Sequence, residues 1–450
     1  MEPLESWVER QYRHAAAGML RSVSPLGLVH SRPGFGQTVA AKRGAIVASP
    51  VLGAYDPLPD YFFHWYRDSA IVIDALRQLL EEGLEPRALE HFADFVRFSL
   101  ALRDLDGRTL AASPEWRSRV REDLKSFLRS DEELAAVHGE AVAGDTRVNA
   151  DGTIDISSWG RPQHDGPSLR ALAVLRWIRG GRLDAEQRDA ASVLLRADLA
   201  FTLKHAFEPC FDIWEEERAL HYYTLRTAAA ALAEGADWLD GREERRQAEA
   251  CRGAAVGLLA RLDEYWLADE GFYRSRILPG GSRSPKDLDI AVILAALHSG
   301  GRGPSHSVHD PRIHATLGRL QKLFDAEYPI NQGRPPGRAP AMGRYAGDRY
   351  YSGGAYYFST LAAAELSFRA AAGADEPRAR PLCRQGDAFL ETVRAFTPPS
   401  GELSEQFDRR TGEQTSARHL AWSYAALISC IAARRAAAEG AALHARERHG

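Results

Sequence analysis

Apolar residues recur at helical spacing along almost the whole chain. Val72, Ala75, Leu76, Leu79 and Leu80 fall at i, i+3, i+4, i+7 and i+8. Phe92, Phe95, Val96 and Leu100 repeat the stripe, as do Leu420, Tyr424, Leu427, Ile428 and Ile431 near the end. This period predicts helices over roughly 4–22, 64–82, 86–104, 166–180, 184–204, 216–236, 242–266, 286–299, 310–327, 352–372, 378–395 and 416–438, about twelve in all, with a short further helix near 118–138. The Ala/Arg-rich end, 432–450, is expected to be a last helix that frays into solvent. Alternating strand patterns are scarce. Residues 45–51 are expected to pair briefly, and 271–277 to form a small hairpin arm.

Breaker-rich loops at 300–304, 331–340 and 397–401 separate helices, and none is long or polar enough for an interdomain linker. The chain is therefore expected to be one all-α domain over 1–450. Paired helices with motifs in alternate loops suit a toroid whose inner ring packs tightly, for which the Ala-rich runs at 227–233 and 361–365 are fitted. A helical solenoid or bundle has the same periodicity.

Composition narrows the function. With 450 residues, 45% of them hydrophobic, a large core is within reach. Lys+Arg 57 against Asp+Glu 61 gives a net charge of −4, so no basic field for nucleic acid or an anionic membrane is expected. The N-terminus has no apolar signal core, and no run reaches about 18 apolar residues, so no membrane span is expected. Cys210, Cys251, Cys383 and Cys430 are scattered, which predicts neither a zinc site nor a disulfide framework and favours a reduced, cytoplasmic protein.

Two segments carry candidate acid/base chemistry. One is FDIWEEE at 211–217, the other GELSEQFD at 401–408. Facing carboxylates are what acid/base cleavage of a glycosidic bond requires. In the first, crowded carboxylates and the Trp214 indole would keep a buried member protonated; the same residues also have a capping-box-like spacing, Asp212 to Glu215, ahead of a helix. In the second, Glu405 would activate water, or else cap the helix that follows.

Around them stand aromatic and polar clusters. Residues 61–69, YFFHWYRDS, put Arg67 beside Asp68, a donor fork and an acceptor suited to vicinal hydroxyls, or else a structural ion pair. Trp159, on a Gly-Arg-Pro turn, would offer a flat platform to a sugar ring or anchor the turn. Arg344 lies at a Gly-rich loop-to-helix junction with Asp348, Tyr350 and Tyr351 and would be another hydroxyl clamp. His306, His309 and His314 sit in a loop without the rigid framing of a metal site; no metal or cofactor is expected.

In order, YFFHWYRDSA at 61–70, VNADGTIDISSWGRPQHDGPSLRA at 148–171, FDIWEEERALHYYT at 211–224, MGRYAGDRYYSGGAYYFSTLAAAE at 342–365 and GELSEQFDRRTGEQTSARHLAWSYAAL at 401–427 resemble the glucoamylase family, glycoside hydrolase family fifteen. The resemblance implies an (α/α)6 barrel and an inverting exo-acting α-glucosidase. Glu215 matches the general acid and Glu405 the general base. Arg67 and Asp68 match residues that hold the terminal glucose hydroxyls; Trp65, Trp159, Trp214 and Arg344 match the pocket region. Tyr61 matches a tyrosine near the attacking water and Glu216 a carboxylate contacting the aglycone sugar. Tyr356 stands where fungal members carry a tryptophan, which implies weaker aglycone stacking. Neither an N-terminal β-sandwich nor a starch-binding domain is expected. The expected substrates are soluble α-1,4-linked malto-oligosaccharides; α-1,6-linked isomaltose or dextran oligosaccharides and trehalose are the alternatives within the family. A glycan-binding toroid without turnover and a phosphorolytic enzyme are the alternatives outside it.

Overall fold

The computed structural model describes residues 2–54, 58–300 and 303–447. The chain divides into two compact units, Leu20–Leu258 and Met1–Met19 with Leu259–Gly450. The division falls inside the Arg245–Leu262 helix.

In the Leu20–Leu258 unit, helices Tyr66–Glu81, Asp165–Arg179 and Tyr222–Asp240 are buried and pack one on the next. Helices Ala88–Ala101 and Ala185–His205 flank them. The run Ala228 to Leu232 is wholly inside, as a helix enclosed by other helices requires.

The second unit repeats the plan. Helix Tyr357–Ala372 is buried between Ala291–His298 and Ala421–Glu447, with Pro311–Glu327 and Glu376–Phe396 outside. The Leu4–Leu20 helix lies on the last one, where Glu9 pairs with Arg435 at 2.8 Å and Glu5 with Arg434 at 2.7 Å.

The predicted helices all reappear, but several begin late, for one reason. Short strands stand immediately before the buried helices. Phe63–Trp65 pairs with Arg147–Asn149, Arg218–His221 with Cys210–Phe211, and Ala355–Tyr356 with Gln406–Phe407. The helix expected from 216 therefore starts at Tyr222, and the one expected from 352 starts at Tyr357. Gln406–Phe407 pairs in turn with Gln414–Thr415, which delays the last helix from 416 to Ala421. That helix runs to Glu447, through most of the 432–450 end expected to fray, and 448–450 lie outside the described residues.

One local expectation is corrected and two are refined. Residues 45–51 form no strand, only a bridge from Ile46 to Val23. Phe272–Tyr273 pairs upstream with Trp266–Leu267, not within 271–277. The region near 118–138 holds two 3-10 turns and one short helix, Asp131–Ala135, capped reciprocally by Ser130 and Glu133. The hairpin Val29–Arg32 with Gln37–Ala40 had no forecast in the periodicity. The four cysteines are unbridged. Among the described residues no helix is long and apolar enough to cross a membrane.

Candidate active site

In the Leu20–Leu258 unit the Glu215 carboxylate is the meeting point of three N–H donors. Trp65 Nε1 donates to Oε1 at 2.8 Å, Arg67 Nη2 to the same oxygen at 3.1 Å, and Trp159 Nε1 to Oε2. Trp65 arrives through the strand pairing with Arg147, Arg67 from the first turn of the following helix, and Trp159 from the loop ahead of Asp165–Arg179.

The expected capping box at Asp212 and Glu215 does not form. Residues 212–217 instead close a tight turn, in which Glu215 N–H donates to the Asp212 carbonyl at 2.9 Å and Glu216 N–H to Asp212 Oδ1 at 2.8 Å. Glu215 itself takes φ +65°, a left-handed backbone that a non-glycine residue adopts at a cost of roughly 1–3 kcal/mol. The turn thereby presents the Glu215 side chain to the tryptophans, leaving Trp214 buried and Glu216 exposed.

Two close approaches set this geometry. A Cβ on Gly160 would lie 2.6 Å from the Glu215 carbonyl oxygen, and one on Gly166 would lie 2.6 Å from Tyr66 Cβ. Only glycine lets the 158–166 segment sit so near both the turn and the Tyr66–Glu81 helix.

Arg67 is buried and its fork is divided. Nη1 donates to Gln163 Oε1 at 3.1 Å and lies 3.8 Å from Asp165, while Nη2 pairs with Asp68 at 3.2 Å as well as with Glu215. Burial raises the carboxyl groups of Asp68 and Asp165 to about 6 each; Arg67 opposes the shift and Glu215 adds to it. Tyr61 packs its ring 5.2 Å from that of Trp65. His64, in the same aromatic cluster, faces the backbone, accepting from Ile46 N–H at 3.0 Å.

Behind this group lies Arg147, only 1% exposed. Its guanidinium sits 4.0 Å from the Phe63 ring centroid, 4.6 Å from Trp65 and 4.1 Å from Trp159. Its nitrogens reach Asp155 at 2.9 Å and Ser157 Oγ at 3.1 Å. The Trp159 indole is thus held by its N–H and by the cation on one face, so that face is no open sugar platform.

The Leu259–Gly450 unit carries the other predicted residues. Glu405 accepts at its backbone carbonyl from Tyr357 N–H at 3.3 Å, at the start of the Tyr357–Ala372 helix. Its backbone N–H donates to the Ala417 carbonyl at 2.7 Å, and its Oε2 accepts from the Ser416 hydroxyl. Arg344 forms a bidentate pair with Asp348, both N–O distances 2.7 Å. Asp348 accepts from the Tyr356 hydroxyl at 3.2 Å, which accepts from Gln406 Nε2 at 2.8 Å. Tyr356 is fully buried, so its place is behind Arg344 as a strut and not against a sugar ring.

The residue types expected for substrate therefore collect in two groups: Tyr61, Trp65, Arg67, Asp68, Trp159 and Glu215 in one unit, and Arg344, Tyr356 and Glu405 in the other. Sequence reasoning missed Arg147, Gln163, Asp165 and Ser416. Gln163, Asp165 and Ser416 lay inside the motifs; Arg147, just ahead of one, acts through contacts with the distant Phe63 and Trp65.

The chain is similar to known proteins along nearly its whole length. The family described as Glycosyl hydrolases family 15 matches residues 14–103, 142–385 and 374–432. A probable glucoamylase of Schizosaccharomyces pombe is 27% identical, over 96% of this chain and 92% of its own. The glucoamylase of Neurospora crassa is 25% identical, over 88% of this chain and 64% of its own. Among solved structures, a family 15 glucoamylase from Hypocrea jecorina is similar with a TM-score of 0.79 at 24% identity, over 96% of this chain and 72% of its own. The glucoamylase of Saccharomycopsis fibuligera gives 0.77 at 21% identity, over 97% and 96%. Those glucoamylases are (α/α)6 barrels, and the likeness shows that fold here. The chain belongs to glycosyl hydrolases family 15 and is a glycoside hydrolase.

Proposed function

We propose that this enzyme is an exo-acting, inverting α-glucosidase of the glucoamylase kind, releasing β-glucose from the non-reducing ends of α-1,4-linked malto-oligosaccharides. The observation that carries the reading is the Glu215 carboxyl, set on a left-handed turn and met by Trp65, Trp159 and Arg67. The relatives it matches along most of its length are named glucoamylases.

Glu215 enters the reaction protonated and gives its proton to the glycosidic oxygen as the bond to the anomeric carbon breaks. The three N–H donors stabilise the carboxylate that remains, so their effect is strongest after transfer, where it lowers the barrier. Glu405, oriented by Ser416, takes a proton from the water that attacks the opposite face of the sugar. Such an inverting pair needs about 6.5–9.5 Å between carboxyl groups to admit the water. Arg67 and Asp68 hydrogen-bond hydroxyls that only a chain end leaves free, which makes the action exo. Arg344, stiffened by Asp348 and Tyr356, hydrogen-bonds another hydroxyl of the sugar.

The test is product stereochemistry with a disabled acid. Proton NMR of maltotriose hydrolysis should show β-glucose first, and Glu215→Gln should lower kcat by about 10²–10⁴-fold while retaining maltotriose binding. First appearance of α-glucose, or near-native kcat in that variant, would overturn the assignment. Linkage is read from initial rates on maltose, maltotriose, isomaltose, panose and trehalose; faster cleavage of isomaltose than of maltotriose would overturn the α-1,4 preference.

A further inference from the structure

His164 and His205 come together from opposite ends of their helices. His164 immediately precedes the Asp165–Arg179 helix, and His205 closes the Ala185–His205 helix. Their ring centroids are 5.4 Å apart, and Phe201 packs against both, 5.7 Å from one and 4.5 Å from the other. His164 Nδ1 and His205 Nε2 are buried nitrogens with no hydrogen-bond partner among the described residues. Glu208, just beyond the helix end, brings a carboxylate oxygen 2.8 Å from His205 Nδ1. One potential ligand atom from each of the three side chains lies within 4.8 Å of the other two. The neighbouring Lys204 is turned away to Glu140.

Buried polar atoms left without a partner are costly, and two of them on facing imidazoles call for a shared guest. Two imidazoles and a carboxylate form the donor set of zinc and similar borderline ions, not of calcium or magnesium, which take oxygen ligands. We propose that His164, His205 and Glu208 bind a divalent transition ion of the zinc type, with a further position open to water. Zinc ligands stand about 2.0–2.2 Å from the metal, so the set must close slightly. The Glu208 side chain is 55% exposed and has the freedom to swing in.

The placement gives the ion a purpose. His164 lies between Gln163 and Asp165, both of which flank Arg67. Glu208 leads into Cys210–Phe211 and then the Glu215 turn. A bound ion would tie together the two segments that hold the partners of Arg67 and the Glu215 carboxylate. It takes no part in bond cleavage, and the proposal stands whether or not the hydrolytic reading does.

The experiment uses the full chain, stripped with a chelator and then titrated with Zn²⁺ by calorimetry and by thermal unfolding, with Ca²⁺ as the hard-ion control. One Zn²⁺ should bind saturably and raise Tm, and Ca²⁺ should do neither. His205→Ala and Glu208→Ala, each shown folded by circular dichroism, should each weaken Zn²⁺ binding by about tenfold or more. His309→Ala, outside the cluster, should bind as the native chain does. No saturable Zn²⁺ binding, or weakening below about tenfold in both cluster variants, would overturn the site.

Discussion

Arg147 lies face-on to Trp159, its guanidinium carbon 4.1 Å from the ring, and the same indole donates its N–H to Glu215. The arginine is out of reach of solvent, yet it fixes the plane of a side chain that touches the Glu215 carboxylate. Lysine would keep the charge and lose the flat fork that spans Asp155, Ser157 and the rings. Arg147→Lys should therefore lower kcat by about tenfold, a loss of ~1.4 kcal/mol in the transition state, with KM little changed. Steady-state kinetics on maltotriose decide it; a native kcat would show that the stacked cation does not orient the indole.

Ser416 is the counterpart in the other unit, donating its hydroxyl to Glu405. Hydrogen bonds to charged groups contribute about 1.5–3 kcal/mol. Ser416→Ala should lower kcat by at least about tenfold, since the Glu405 carboxylate loses the Ser416 hydroxyl. Ser416 sits at φ +63°, where a β-branched threonine would be strained, so the alanine variant carries the test; equal rates for it and the native chain would separate Ser416 from turnover.

Gly160 leaves no room for a methyl group, since its Cβ would lie 2.6 Å from the Glu215 carbonyl oxygen. In Gly160→Ala the loop must retreat and take Trp159 with it. The expected outcome is a stability loss of roughly 1–3 kcal/mol and a fall in kcat larger than any rise in KM. Urea unfolding and kinetics on the same preparation would check both.

Asp165 supplies a pH signature. Its raised pKa, about 6 against an ordinary 3.8, means that the folded chain holds this proton more tightly than the unfolded chain. The resulting stabilisation is complete below about pH 4 and is lost as pH rises through about 6. Asp165→Asn is neutral throughout. Relative to the native chain it should gain on the order of 1–3 kcal/mol between pH 4 and pH 7. Denaturant midpoints at both pH values read this directly, and a pH-independent difference would mean that Asp165 titrates normally.

Helices were legible because burial of one face repeats every three to four residues, and that signal survives any tertiary context. The two- to four-residue strands ahead of them were not. Ala355–Tyr356 pairs with a segment about fifty residues later, and nothing local in either announces it. Glu215, Glu405, Arg67 and Asp68 stood in recognisable segments, so they could be singled out as candidates before any contact was known. Tyr356 reads the same in the sequence whether its face or its hydroxyl is used; the structure turns its hydroxyl to Asp348. The histidines show the same limit. His306, His309 and His314 are near in sequence, but His314 is taken by the Val308 carbonyl at 2.8 Å. His164 and His205 are far apart in sequence and adjacent in space.

Glu215 sits where the peptide chain would prefer glycine or asparagine. Heat resistance and turnover therefore pull this one position in opposite directions. A mutant library sorted only for survival at high temperature would drift toward those two residues at 215, relaxing the bend and discarding the carboxylate with it. Engineers hardening this enzyme should hold that codon fixed and look for gains elsewhere.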